Sequence, residues 1–468
     1  MKNALRKAAT SLLLIVIVAA GARLAFAWYE GRQIPARVLS IVPFQTETGH
    51  IAYSIASGKG FSSPFQRDTG PTAWLAPVYP YLLAGIFRLF GIYTLHSFFV
   101  ALCLNVLFSA GTCVPIFFTG KRVAGLGVGS AAAWLWALFP NAFIIPFEWI
   151  WDTSLSALLM ATLLWATLEL AESRRLRNWC LYGLLWGFAM LTNPSVAVLY
   201  PVLLAWAAWR IRDSKRPSAW LARPALAAGI TILCCVPWTV RTYVQFHKLI
   251  PLRSNFAFEL YIGNNENYDD EHRLRPGVIT QDREILRYLH MGETAFMEEE
   301  KRKAIAFIVA HPRIEAWLVA QRFVDFWTGT ATPLAAFRQF DSLWLRLILL
   351  CNDAAPLCAL LGIVVLLATK NGYALPLVTV PALFPLLYYV THTSLRYRHP
   401  IDPVVLLLGT IGVHGMWRWL ARKLGRASTK TLPPSPPPPQ PTPNTDESSR
   451  RVVRGAPERQ RGTKDFQR

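Results

Sequence analysis

Three groups of side chains have the types and spacing to do chemistry. The first lies in the stretch Phe44–Pro80, FQTETGHIAYSIASGKGFSSPFQRDTGPTAWLAPVYP, which holds Glu47, His50 and Lys59 among Gly and Pro turn signals. A loop carboxylate can take a proton from a hydroxyl, and a neighbouring imidazole can share it or orient the acceptor. Lys59 stands in SGKGF, where the glycines permit close backbone approach to an anion. The spacing and the missing Ser/Thr exclude a Walker loop. The second group is Arg396, Arg398 and His399 in HTSLRYRHPID. Guanidinium groups bind phosphate through a planar fork of donors. With Tyr397 they would equally make an aromatic–basic anchor at the lipid headgroups. The third is Glu148 and Asp152 in PFEWIWDT. Four residues apart on a helix they would share a face. They could then hold an acceptor, bind a divalent ion or, the simplest structural reading, pair with Arg241.

The elements that must position these groups are set by composition. The chain has 468 residues, is 53% hydrophobic and 16% charged, and has a mean hydropathy of +0.30. A soluble chain usually carries about 25% charged residues. That deficit, with repeated apolar runs, describes an all-α polytopic membrane protein. The net charge of +20 does not point to nucleic acid. The basic residues cluster at the ends of apolar runs, as the positive-inside bias places them. The seven cysteines (Cys103, Cys113, Cys180, Cys234, Cys235, Cys351, Cys358) all lie in apolar segments and have no metal-ligand spacing, so they read as small buried hydrophobes.

Ten spans are expected, at 9–28, 97–119, 125–146, 148–170, 178–193, 194–211, 220–240, 343–368, 373–391 and 401–420. With the N-terminus inside, the basic clusters at Lys2/Arg6/Lys7, Lys121/Arg122, Arg174/Arg175/Arg177, Arg210 to Arg223, Lys370 and from Arg418 onward all fall inside. This count requires Tyr79–Gly91, short and interrupted by Arg88, to be an interfacial or re-entrant helix rather than a span. It makes residues 1–240 an N-terminal membrane module with an outer loop at 29–96. Residues 241–342 become a small, mainly helical outer domain, and 343–420 a C-terminal membrane part. Within the outer domain, Ala304, Phe307, Ile308, Ile314, Trp317 and Leu318 recur at helical spacing. The tail 421–468, with PPSPPPPQPTPNT and a basic end, cannot build a core and is expected to be a disordered cytoplasmic segment.

Four stretches resemble one family. They are Glu47 followed by IAYSIASGKGFSSPF, the segment PTAWLAPVYPYLLAGIFRLFG (71–91), GLLWGFAMLTNPS (183–195) and SLRYRHPIDP (394–403). In order and topology they resemble the family-39-like membrane glycosyltransferases of the GT-C fold. That group includes protein O-mannosyltransferases, the lipid A aminoarabinose transferase and rhizobial lipopolysaccharide transferases. The resemblance implies a GT-C-like bundle with outer juxtamembrane helices in a bacterial inner membrane. It implies transfer of a hexose or pentose from a polyprenyl-phosphate donor to a hydroxyl of a lipid, glycan or protein acceptor. The active site would open on the periplasmic side, and transfer would proceed with inversion. Glu47 would be the base, with His50 beside it. Arg396, Arg398, His399 and Lys59 would contact the donor phosphate. Asn264, in YIGNNENYDD, would touch sugar or acceptor, and Glu148 and Asp152 would hold acceptor or serve structure. Many members carry two carboxylates at the loop's start; here Gln45-Thr46-Glu47-Thr48 offers one. That argues against a metal at this position, while a divalent cation elsewhere stays an option. The alternative is a transporter or lipid flippase, which would show half-sequence repeats and mid-bilayer charges. A structural subunit of an envelope complex would leave Glu47 and the Arg396/Arg398 loop apart.

Overall fold

The computed structural model describes residues 10–212, 217–265, 282–329 and 342–430. The Pro-rich tail after Lys430 and most of the GNNENYDDEHRLRPG segment therefore lie outside the described residues. The chain divides into a unit ending at Trp419 and a second beginning at Leu420; the first carries everything that follows. Among the described residues the structure is helical, with no strand beyond one isolated bridge between Ser62 and Pro71.

Six helices are long and apolar enough to cross a membrane: Leu12–Gly31, Leu95–Ala124, Thr153–Leu170, Leu221–Phe246, Leu345–Ala368 and Leu395–Leu424. The pair Leu126–Leu138 and Asn141–Glu148, bent by 46° at the break where Pro140 interrupts the chain, is a broken span or a re-entrant loop. Ten crossings were expected from the apolar runs; by helix length and composition there are six among the described residues, or seven with the bent pair counted as one. The shortfall has a physical cause. The region 178–211 is split by Asn193-Pro194 into the helix Leu176–Thr192, a 3-10 turn Pro194–Leu199 and the short helix Tyr200–Arg210. The region 373–391 is likewise broken around Pro385 into Ala374–Leu383 and Leu386–Val390. Proline removes a backbone donor and turns the preceding residue out of the helical region. The segment Val78–Phe90 forms a helix of 13 residues, about 20 Å long and too short to span.

Two cores hold the fold. One runs through the apolar helices, with Trp136, Trp179, Trp186, Leu164 and Val405 buried at its centre. The other joins the loop that follows the first span to the later helices Asp282–Met291 and Glu293–Ala310. It is built from Phe44, Ile51, Trp74, Leu83, Phe87, Phe98, Tyr288 and Phe296. Two charged residues fasten this second core. Glu293 accepts from Ala73 N at 2.8 Å, Ser254 Oγ at 2.6 Å, Tyr288 OH at 2.7 Å and Thr72 Oγ1. Arg241 donates to the carbonyls of Phe61 and Thr72 and stacks on Trp238 and Phe61. The loop from Phe61 to Thr72 is thus pinned from two sides, which fixes the helices on either side of it.

Candidate active site

Glu47 opens the helix Glu47–Ala56. Thr46 caps it, accepting from Gly49 N at 3.3 Å, and an acid in the first turn suits the positive end of the helix. The apolar positions Ile51, Ala52 and Ile55 are buried in the second core against Leu83, Ile86 and Phe87 of Val78–Phe90. Gly49 is needed for the approach: a Cβ there would lie 1.9 Å from the Phe44 carbonyl oxygen. The Glu47 carboxylate is half-buried and makes no side-chain hydrogen bond among the described residues. Burial raises its pKa above the usual glutamate range, while the nearby Arg396 guanidinium pulls it back and Glu259 pushes it up.

Arg396 comes from the other end of the chain, on the single turn Leu395–Arg398. Its guanidinium lies over Trp149 at 4.4 Å and Trp151 at 4.6 Å. These tryptophans stand two apart in a non-helical link, where alternate residues share a side. Arg396 spends one donor on Tyr397 OH, at 3.1 Å. The remaining edge of the fork is unspent, and cation–π contacts hold its plane without consuming donors.

Around Arg396 lies a polar cleft whose lining includes Asp152, Arg253, Asn255, Glu259, His392 and Tyr388. Asp152 accepts from Ser156 Oγ at 2.8 Å and feels both Arg396 and Arg253; burial raises its pKa against those two cations. Arg253 donates no hydrogen bond among the described residues. Asn255 is 2% exposed. Its Nδ2 donates to Glu259 Oε1 at 2.8 Å, and its Oδ1 has no partner. Such an orphaned buried acceptor in a cleft wall calls for a donor from a bound molecule.

The sequence-derived residues separate sharply here. Glu47 and Asp152 each come within electrostatic reach of Arg396; Asp152 lines the cleft, and Glu47 is not among its lining residues. Arg398 and His399 do not join them; both are 0% exposed. Arg398 donates to Asp402 Oδ1 and Asn352 Oδ1, each at 2.7 Å, and to the Trp327 carbonyl. His399 packs on Trp136. These two are pegs that hold the turn on which Arg396 is presented, so the expected phosphate contact shrinks to Arg396. Lys59 is paired with Asp68 at 2.7 Å and exposed. With His50, whose pKa burial lowers, it lines a separate cleft. Glu148 is exposed, the last residue of the helix Asn141–Glu148, while Asp152 stands at the N-cap of the next helix, so the two do not share a helix face. The Arg241 partner expected for these acids is the loop backbone instead.

Asn264 is also not at the cleft. It is 0% exposed, donating to Leu260 O and Val390 O at 2.8 and 2.9 Å and accepting from Arg322. A Cβ on Gly263 would strike the Thr391 carbonyl at 1.8 Å. The Gly-Asn pair is therefore a packing joint that seats the segment leading to His392. Sequence reasoning missed Arg253, Asn255, Glu259 and His392; each is a lone polar residue whose role only the fold reveals. Among the described residues no three or more His, Cys, Asp and Glu side chains converge in a way that could hold a metal ion.

With this geometry in view, residues 74–240 match the family model for dolichyl-phosphate-mannose-protein mannosyltransferase. The resemblance read from the sequence thus has a counterpart in a family match. The matched segment includes Trp149, Trp151 and Asp152, and stops short of Glu47 and Arg396. No curated protein matches the chain. Solved structures with a similar course include the Archaeoglobus fulgidus oligosaccharyltransferase in its apo form. It has 14% identity and a TM-score of 0.48, over 89% of this chain and 52% of that one. The archaeal oligosaccharyltransferase AglB of the same organism, in complex with an inhibitory peptide and a dolichol-phosphate, matches at 13% identity and a TM-score of 0.46. It covers 89% of this chain and 52% of that one. The chain spans about half the length of the oligosaccharyltransferases it matches.

Proposed function

We propose that this chain is a membrane glycosyltransferase that moves a sugar from a polyprenyl-phosphate donor to an acceptor hydroxyl at the outer face of the membrane. The observation that carries the reading is that the carboxylate of Glu47, which has no side-chain partner among the described residues, lies within electrostatic reach of Arg396, whose guanidinium spends one donor on Tyr397. The two come from opposite ends of the chain.

The chemistry needs little more. The leaving group is already a phosphate, so it requires cationic stabilisation rather than protonation. Glu47 takes the proton of the acceptor hydroxyl. The hydroxyl oxygen forms a bond to the anomeric carbon as the bond from that carbon to the phosphate oxygen breaks. The electron pair stays on the phosphate, facing Arg396, and Arg253 supplies a second guanidinium on the cleft wall. A single displacement inverts the anomeric centre. Burial suits Glu47 to the task, because a base whose pKa is raised toward the working pH is a stronger proton acceptor. Asp152, within electrostatic reach of both arginines, offsets part of their mutual repulsion. The bilayer, the polyprenyl chain and a lipid, glycan or protein acceptor are the partners this reaction requires. A transporter or flippase is less well supported, since the family match is to a transferase family.

The test is reconstitution in liposomes with a panel of undecaprenyl-phosphate sugars, with products analysed by mass spectrometry. The reading expects an acceptor heavier by one sugar residue and release of undecaprenyl phosphate. Movement of an intact lipid-linked sugar across the bilayer without cleavage would replace it with the flippase reading.

A further inference from the structure

Three polar side chains on one wall of the cleft, Glu259, His392 and Tyr397, line up toward Arg396. Glu259, on the helix Phe256–Gly263, places Oε2 3.2 Å from His392 Nδ1. His392 Nε2 lies 3.1 Å from Tyr397 OH. Arg396 Nη2 donates to the same hydroxyl at 3.1 Å. A guanidinium only donates, so the hydroxyl oxygen accepts from Arg396. With its hydrogen given to His392 Nε2, the tautomer taken here, the imidazole hydrogen is on Nδ1, on the side of the Glu259 carboxylate, where Nδ1 makes no well-directed hydrogen bond among the described residues. Glu259 is itself held by Asn255 Nδ2. His392 faces Arg396 and Tyr397 on its own segment, Glu259 on a second element and Arg322 on a third. Burial lowers the pKa of its imidazole, against the opposing pull of Glu259.

We propose that Glu259, His392 and Tyr397 are positioning residues that fix the rotation of the Arg396 guanidinium about the tryptophan clamp and so aim its free donors at the donor phosphate. Trp149 and Trp151 fix the plane of the guanidinium but not its angle within that plane. The hydroxyl of Tyr397, oriented by His392, sets that angle. The inference rests on the phosphate reading of Arg396 and adds to it the residues that make Arg396 competent. Arg recognition of phosphate depends on this directionality, which a bare positive charge does not supply.

The experiment measures binding of undecaprenyl phosphate, without sugar, to the full-length protein in nanodiscs by native mass spectrometry. Wild type binds and R396A binds far more weakly. Y397F and H392F weaken binding by about tenfold, the scale of one charge-assisted hydrogen bond. H392Q, whose side-chain oxygen can take the Tyr397 hydrogen, recovers most of that loss, a rescue that a purely structural role for His392 would not give. Y397F differs by one hydroxyl and carries the test if H392F fails to fold. Y397F and H392F binding as wild type does, with R396A defective, overturns the positioning role alone. R396A binding as wild type does overturns the phosphate reading and this inference with it.

Discussion

Replacing Gly49 by Ala tests the placement of Glu47 without touching a reacting group. Gly49 sits in the first turn of the helix that begins at Glu47. An alanine Cβ there would lie 1.9 Å from Phe44 O and 2.7 Å from Phe44 C. Real Cβ atoms stay beyond 3.0 Å of such neighbours, so the start of the helix must move off the loop by about 1 Å. Backbone cannot yield as a flexible side-chain end does. Phe44 is itself wedged against Phe87 at 5.0 Å in an edge contact, so the helix moves rather than the loop. The shift carries Glu47 with it. A misplacement of about 1 Å in a positioned catalytic group costs on the order of 100-fold in rate. The overpacking costs about 1–3 kcal/mol of stability. The assay is turnover of an undecaprenyl-phosphate sugar by protein that remains monodisperse in detergent. Gly85→Ala is the control, because nothing lies within 4 Å of a Cβ at that helical position. G49A protein that is folded and turns over at the wild-type rate would refute the claim that the position of Glu47 is tightly set and matters.

Burial lifts the Glu47 pKa, and a base must be deprotonated to act. The acid limb of kcat/KM should therefore fall at a pH above the ordinary glutamate range, as a pH–rate profile will show; a limb at or below that range would count against Glu47. Arg398→Ala strands Asp402 in the interior, at a cost of about 3–5 kcal/mol, and should sharply lower the yield of folded protein. Arg396→Ala should leave the yield near wild type, and size-exclusion of tagged protein compares the two. Asn255→Ala should raise KM for the sugar-bearing donor by about tenfold, the loss of one or two substrate hydrogen bonds. Because Asn255 also holds Glu259, binding of sugar-free undecaprenyl phosphate should weaken too, but less, and isothermal titration with both lipids separates the two effects.

Much of the architecture was legible because apolar runs and basic flanks are strong, redundant signals. The non-spanning Val78–Phe90 helix followed from its length and Arg88. The count of ten spans is not matched by helix length where prolines cut the apolar runs, at Pro194 and Pro385. At the site, Glu47 and Arg396 were visible as chemistry-bearing types in turn-rich segments. Arg398 was indistinguishable from Arg396 in SLRYRHP; only the presence of Asp402 and Asn352 around it makes one a peg and leaves the other open to the cleft. Asp152 was visible, but its partner was misassigned. A guanidinium at Arg241 is as plausible by sequence as one at Arg396, and loop carbonyls that claim Arg241 leave no sequence trace. Glu259 and His392 draw their meaning from a contact across more than a hundred residues of chain, and Asn255 from the cleft wall on which the fold places it.

The most direct measurement compares wild type, E47Q and R396A in single-turnover sugar transfer, with donor binding measured on the same preparations. If Glu47 is the base and Arg396 the phosphate clamp, E47Q binds donor normally and loses about 100- to 10,000-fold in transfer, while R396A loses donor binding. E47Q transferring at the wild-type rate, with its donor bound as before, would contradict the account at its centre.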